Sequence, residues 1–214
     1  MASTAAKTQP LTVREDQVSN GAKDAIETGM PYRLEVSIVG VANLMFHRYN
    51  DEEVAAKSAA AKGSTAKKTD NLESYVYRTP EGLLGIPGYV FTAAVREAGR
   101  FRQDPRSPRK SMVDLIKAGV LPLDDVAPLI PETTVWDFDD VRRVVVGRAA
   151  VSRHRPAMRT GWRCTFNVLI ATPEYLQLDT MSELITQAGR LCGLCDFRPS
   201  HGRFSITAMA VHDA

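Results

Sequence analysis

The sequence has little of what marks a secreted, membrane-bound or metal-bound protein. Three cysteines in 214 residues, an odd number, cannot build a disulfide framework. They point instead to a reducing cytoplasm. Every apolar run falls short of the length needed to cross a bilayer. The first residues are polar and rich in Ala and Thr, without the apolar core of a secretory signal. The expectation is a soluble, cytoplasmic protein with no membrane partner. The four histidines (47, 154, 201 and 212) are scattered, and no spacing pairs one with a second catalytic group. Cys192-Gly193-Leu194-Cys195 matches the C-x-x-C pattern. A redox motif should open a helix after a strand, whereas this one follows a helical pattern. A zinc site needs two further ligands, and only Cys164 and the histidines are available. No metal and no cofactor are expected.

Acid is also missing from one long stretch. Seven arginines (142, 143, 148, 153, 155, 159 and 163) stand between Arg142 and Arg163 without one Asp or Glu, although the net charge is only +2. Acids gather just upstream, at Asp124, Asp125, Glu132, Asp137, Asp139 and Asp140. A near-neutral chain with segregated charge suits polyanion affinity on one face, or head-to-tail contact between copies.

What is present organises as follows. Residues 1–30 read as a flexible arm with few large apolar groups. Residues 31–214 read as a single domain interrupted by excursions at about 48–80 and 102–140. Tyr32, Leu34, Val36 and Ile38 alternate with polar neighbours as a half-buried strand. Phe91, Ala94, Val95 and Ala98 fall at helical spacing. The valine-rich Val141–Val151 and the alternating Trp162–Ile170 predict an antiparallel pair joined by a basic loop over 152–161. A helix with Leu184, Ile185, Ala188 and Leu191 on its apolar face follows, and a last strand starts at Phe204. Strand, helix, strand, strand, helix, strand is the order of an α+β, ferredoxin-like (RRM-like) βαββαβ core, here with two insertions. Two helices would cover one face of its sheet and leave the other open, as in many RNA-binding sheets.

The candidate site residues come from charge and aromaticity. Arg153, Arg155, Arg159 and Arg163 sit in or beside the expected basic loop, and Arg198 and Arg203 in the glycine-bearing segment Cys192–Phe204. Guanidinium groups and exposed backbone N–H groups at a sheet end suit phosphates. Loss of Arg155 is expected to flatten the salt dependence of binding by about one unit. Arg96, Lys67 and Lys68 are further basic candidates. Phe197 is the preferred ring for stacking on a base, with Trp162 and Phe204 as less favoured ones. If the chain cleaves RNA, His47, Asp51 or His154 would take part, a histidine acting as general base. A third possibility is an assembly protein whose charged faces join copies without nucleic acid.

Two segments carry a resemblance to a known family. Gly85-Ile86-Pro87-Gly88 running into Arg96-Glu97-Ala98, and Gly193…Arg198…Gly202-Arg203-Phe204, resemble the helix start and glycine-rich loop of the RAMP superfamily. These are the repeat-associated RNA-binding proteins of CRISPR antiviral defence, and the Cas7-like backbone subunit is the nearest type. The resemblance covers roughly residues 32–211. One departure is Cys195, which stands where a second glycine is often found. The resemblance implies an oligomer that polymerises along a single-stranded guide RNA and presents it to a target, beside other CRISPR effector subunits, or a stand-alone or phage-encoded relative. It also implies a protrusion that inserts between neighbouring copies, with residues 50–73 and 102–140 as candidates, and in some members an aspartate after the first strand that cuts RNA, a region that here holds Asp51.

Overall fold

A computed structural model describes residues 29–59, 71–146 and 149–214. The arm expected over the first thirty residues falls almost wholly outside the described residues, as do Lys67 and Lys68.

The expected alternation of Tyr32–Ile38 becomes strand β1, Tyr32–Gly40, with Tyr32, Leu34, Val36 and Ile38 buried. A two-residue strand β2, Leu44–Met45, follows, and helix α1 covers Asp51–Ala59. Strand β3, Gly85–Pro87, leads straight into helix α2, Gly88–Ala98, which a 3-10 turn extends over Gly99–Phe101. Phe91, Ala94, Val95 and Ala98 form its buried face. Strands β4, Gln103–Asp104, and β5, Ser107–Ser111, make a small hairpin. Helix α3, Val113–Gly119, and strands β6, Val120–Pro122, and β7, Val126–Ile130, come next. Then follow β8, Phe138–Val146, β9, Ala149–Met158, and β10, Arg163–Ile170. Helix α4, Leu178–Gln187, ends in a π-turn at Ala188–Cys192, and β11, Phe204–Asp213, closes the chain.

The fold is α+β with antiparallel sheets. The main sheet runs β11-β1-β10-β7-β3, with β6 also paired to β10. A second sheet runs β2-β9-β8. Helices α2 and α4 pack on the face of the main sheet where the apolar halves of β1 and β10 point. Phe91 of α2 stacks on Phe166 of β10 with ring centroids 4.5 Å apart and lies 6.2 Å from Phe204 of β11. Each fully buried ring of this kind contributes about 1.5–3 kcal/mol through removal from water. Tyr32 is also wholly buried, and its hydroxyl donates to the Leu176 carbonyl at 2.7 Å, so its burial leaves no unmet polar atom there.

Four expectations need correction. Val141–Val151 is neither one strand nor part of the main sheet. It turns back on itself, β8 pairing with β9 from Phe138↔Ala157 to Val146↔Ala149. The supposed basic loop over 152–161 is largely strand β9. The strand that lies beyond β10 in the main sheet is Val126–Ile130, from a stretch expected to be an excursion. Nor does the rest of 102–140 stand apart: Met112, Leu115, Ile116, Ala127 and Leu129 are buried in the common core. Part of the 48–80 excursion is likewise ordered, since Tyr75 and Val76 are buried.

Candidate functional site

Three connections meet where β1 ends and β10 and β11 begin. Asn43 joins them. Its side-chain carbonyl accepts from the backbone N–H and the hydroxyl of Thr160, at 3.0 and 3.2 Å, and its backbone carbonyl accepts from Gly202 N–H at 2.8 Å. Val41 N–H donates to the Arg203 carbonyl, and Gly161 N–H to the Gly40 carbonyl. The indole of Trp162 lies over Gly40 and donates to the Ala42 carbonyl at 2.8 Å. A Cβ at residue 40 would stand 2.1 Å from that ring, so only glycine admits the arrangement.

The loop from Gly193 to Gly202 is wound tightly. Leu194 N–H bonds to the Gly202 carbonyl, His201 N–H to the Phe197 carbonyl, and Asp196 N–H to the Met45 carbonyl. Cys195 and Phe197 both have left-handed backbone, with φ of 59° and 55°. That conformation is uncommon outside glycine. Cys195 thus holds a backbone geometry that glycine favours. Gly202, at φ 70°, is packed so closely that a Cβ would meet the Leu194 carbonyl oxygen at 1.9 Å.

This end of the sheet carries Arg159, Arg163, Arg198 and Arg203, all exposed. Arg159 has its guanidinium over the Phe138 ring at 4.9 Å, and its N–H donates to Asp137. Arg163 opens β10 opposite Val39, on the sheet face turned away from the helices. Arg203 Nε donates to the Pro199 carbonyl at 2.7 Å, which ties it to the same loop as Arg198. Arg96 is exposed on α2.

Arg155 has a different role from the one expected. It is buried, 7 % exposed. Its Nε donates to Asp196 at 3.0 Å, its Nη1 to the His154 carbonyl at 3.0 Å, and the guanidinium lies 5.1 Å from the Tyr75 ring centre. His47 completes this cluster, with Nδ1 3.6 Å from the Asp196 carboxylate and its ring edge-on to Tyr75. A guanidinium so enclosed cannot also grip a phosphate, so Arg155 is a tie between β9 and the loop. Arg153 is half-buried on the opposite side of β9 from His154 and Pro156 only by a single residue's alternation, and His154 is exposed on the side away from Arg155. Asp51 is exposed at the first residue of α1.

The aromatic expectations divide. Trp162 and Phe204 are core residues, 5 % and 1 % exposed. Phe197 is half-buried; Arg142 lies 5.3 Å from its ring centre and His201 packs edge-on at 6.2 Å, so its surroundings are already partly filled. The sheet face opposite the helices carries no ring on β1 or β10: Ser37 and Thr165 hydroxyls bond across it at 2.8 Å, and Asn167 bonds to Asp124. Stacking on that face is therefore not available from these strands. The cysteines are not poised for redox work. Burial pushes all three thiols up, Cys195 to about 12. Among the described residues no group of three or more His, Cys, Asp or Glu is placed to hold a metal ion, and no helix is long and apolar enough to cross a membrane.

Residues that sequence reasoning passed over are Asn43, Tyr75, Tyr77, Tyr89 and Asp196. Their significance lies in contacts across the chain. Tyr77 and Tyr89 bring their hydroxyls to 3.1 Å beside a pocket of about 200 Å³ that His47, Asp196 and Arg198 also line.

No family model matches the chain, and no curated protein matches it in sequence. Among solved structures it is similar to a chain in the cryo-EM structure of the Type III-B Cmr-beta bound to cognate target RNA, with a TM-score of 0.50 and 12 % identity. The match covers 91 % of this chain and 65 % of that one, so this chain spans just under two thirds of its neighbour's length. At that identity the likeness is one of fold alone.

Proposed function

We propose that the protein binds single-stranded RNA without cutting it, as a subunit of a CRISPR-type ribonucleoprotein in which copies line up along a guide strand. The neighbour's RNA-bound state supports this reading, as does the fold it shares. We take the order β11-β1-β10-β7, with α2 and α4 on one face, as a ferredoxin-like core in which Val126–Ile130 serves as second strand. The observation that carries the proposal is the Asn43 junction, which gathers the segments bearing Arg159, Arg163, Arg198 and Arg203 at one end of the sheet. No acid is hydrogen-bonded to any of these four guanidinium groups among the described residues. Such groups neutralise phosphates and release counterions, with little base preference. The β8–β9 ribbon, which leaves Val141 and Val145 exposed, is the element we assign to contact with a neighbouring copy, in place of residues 50–73 and 102–140.

The test is RNA affinity measured across a salt series. Binding should weaken steeply with salt, and Arg163→Ala, Arg198→Ala and Arg203→Ala should each lower the slope by about 0.7, the share of one phosphate on a single strand. Slopes unchanged in all three variants would refute the assignment. A second reading, metal-independent RNA cleavage, has one observation in its favour: His47 stands beside Asp196 at the mouth of a pocket that Arg198 shares. It requires cleavage in the presence of a chelator that His47→Ala abolishes.

A further inference from the structure

Helix α2 and the turn after it present one stripe of residues to the outside of the Gly193–Gly202 loop. Tyr89, Ala93, Glu97 and Phe101 recur every four residues, which puts them on a single face. The pocket of about 200 Å³ lies against Tyr89, Val90 and Ala93, and a second, more open depression of about 560 Å³ lies against Glu97 and Phe101. Cys195, Asp196 and Arg198 line both. The two depressions are therefore consecutive parts of one groove, with helix on one side and loop on the other.

The chemistry of this groove is specific. An exposed ring stands at each end, Tyr89 at 57 % and Phe101 at 61 % exposure. Its two acids are compensated: Asp196 is bonded to Arg155, and Glu97 is paired with Arg100 at 2.9 Å. Arg198, which lines both depressions, has no acid bonded to its guanidinium among the described residues. The smaller pocket lies below the roughly 300–1,000 Å³ of sites that enclose a drug-sized ligand, so it admits one ring rather than a whole dinucleotide. Burial and the bond to Tyr89 raise the Tyr77 phenol, which stays neutral. Within the tyrosine pair one hydroxyl donates to the other, and the second O–H is left to offer an acceptor on a ligand.

We propose that this groove is a second track for single-stranded nucleic acid, in which one base enters the Tyr77–Tyr89 pocket, a phosphate sits on Arg198, and a base further along stacks on Phe101. The proposal rests on the RNA-binding reading above and extends it from the end of the sheet to the helix side. Tyr89 and Phe101 are twelve positions apart, about 18 Å along the helix axis at 1.5 Å per residue. At the roughly 3.4 Å spacing of stacked nucleotides the track holds about five. Arg96, exposed and seven residues on from Tyr89, flanks the same stripe.

The experiment uses the full chain and a set of decaribonucleotides, each with 2-aminopurine at one position. Stacking quenches 2-aminopurine, so the wild-type protein should quench strongly at two positions separated by no more than about five nucleotides. Tyr89→Ala should abolish quenching at one of them and weaken binding about ten-fold; Phe101→Ala should do so at the other. Both side chains are mostly exposed, so both variants should fold, and Tyr89→Phe should retain the quenching. Wild-type quenching in Tyr89→Ala and Phe101→Ala, with salt-sensitive binding intact, overturns the groove and leaves the sheet-end reading standing. Absence of salt-sensitive binding by the wild-type protein overturns both.

Discussion

Arg155→Met separates a structural arginine from a ligand-binding one. The substitution keeps most of the apolar stem and removes the charge. It deletes a charge-assisted hydrogen bond to Asp196, worth about 1.5–3 kcal/mol, and a cation facing the Tyr75 ring, worth about 1 kcal/mol. Asp196 is 29 % exposed, so its carboxylate regains water and some of the loss is returned. The net cost is about 2 kcal/mol, which for a chain of this size lowers the melting temperature by roughly 4–8 °C. Asp196→Ala should cost more, about 3 kcal/mol, because it strands a guanidinium that is only 8 % exposed. Once Arg155 is Met, removing Asp196 should cost little further, so a double-mutant cycle should return a coupling of about 3 kcal/mol. Urea unfolding followed by tryptophan fluorescence measures all four proteins. The same Arg155→Met protein, assayed below its transition, should bind RNA with the wild-type salt slope. A variant as stable as the wild type, with a slope lowered by about 0.7, would falsify the assignment of Arg155 as a tie and return it to the phosphate contacts.

Three further outcomes follow from particular contacts. Gly202→Ala forces a side chain into a left-handed turn and against a backbone oxygen, so it should lower unfolding stability by at least about 2 kcal/mol in the same urea experiment, whereas Gly82→Ala, at a turn with open space around it, should cost less. Asp104 is held down to about 2 by its bonds to Arg106; because the folded form has the lower pKa, its contribution is complete above about pH 4 and disappears as pH falls toward 2. Melting temperatures recorded over that range should fall less steeply in Asp104→Asn than in the wild type, and parallel curves would count against the pair. Burial keeps the Cys164, Cys192 and Cys195 thiols protonated, so iodoacetamide at pH 8 should label the native protein slowly and urea-unfolded protein fast; rapid native labelling at Cys195 would contradict the packing of the loop.

The parts of this fold that were legible in the sequence are those whose signal is local. Tyr32–Ile38 and Cys164–Ile170 alternate because each strand has one face on the helices, and Phe91–Ala98 repeats at helical spacing because one stripe meets the sheet. Strand partners are not local. Val141–Val151 has the β-branched composition of a strand, but valines do not say which sheet they join or that two strands within the stretch pair with each other. Val126–Ile130 was passed over because Pro128 lies inside it and Pro131 directly after it, and proline argues against a strand that must donate hydrogen bonds; it is tolerated where Pro128 stands opposite Gly85 of β3.

Charge compensation, too, is not visible along the chain. Seven arginines without an acid look like a free basic surface when read along the chain. Antiparallel pairing places Asp140 opposite Arg155, Asp140 also binds Arg142, and Asp196, forty-one residues on, takes the Arg155 guanidinium. Within the ribbon, Arg142 takes its acid from its own strand and Arg155 takes one from the loop that folds against it. Arg159, Arg198 and Arg203 lie just outside strands, and Arg163 opens β10 opposite Val39 and Ile130, neither of which brings a carboxylate. Position relative to the ends of strands, rather than density of arginine, therefore decides which guanidinium groups remain to meet a polyanion.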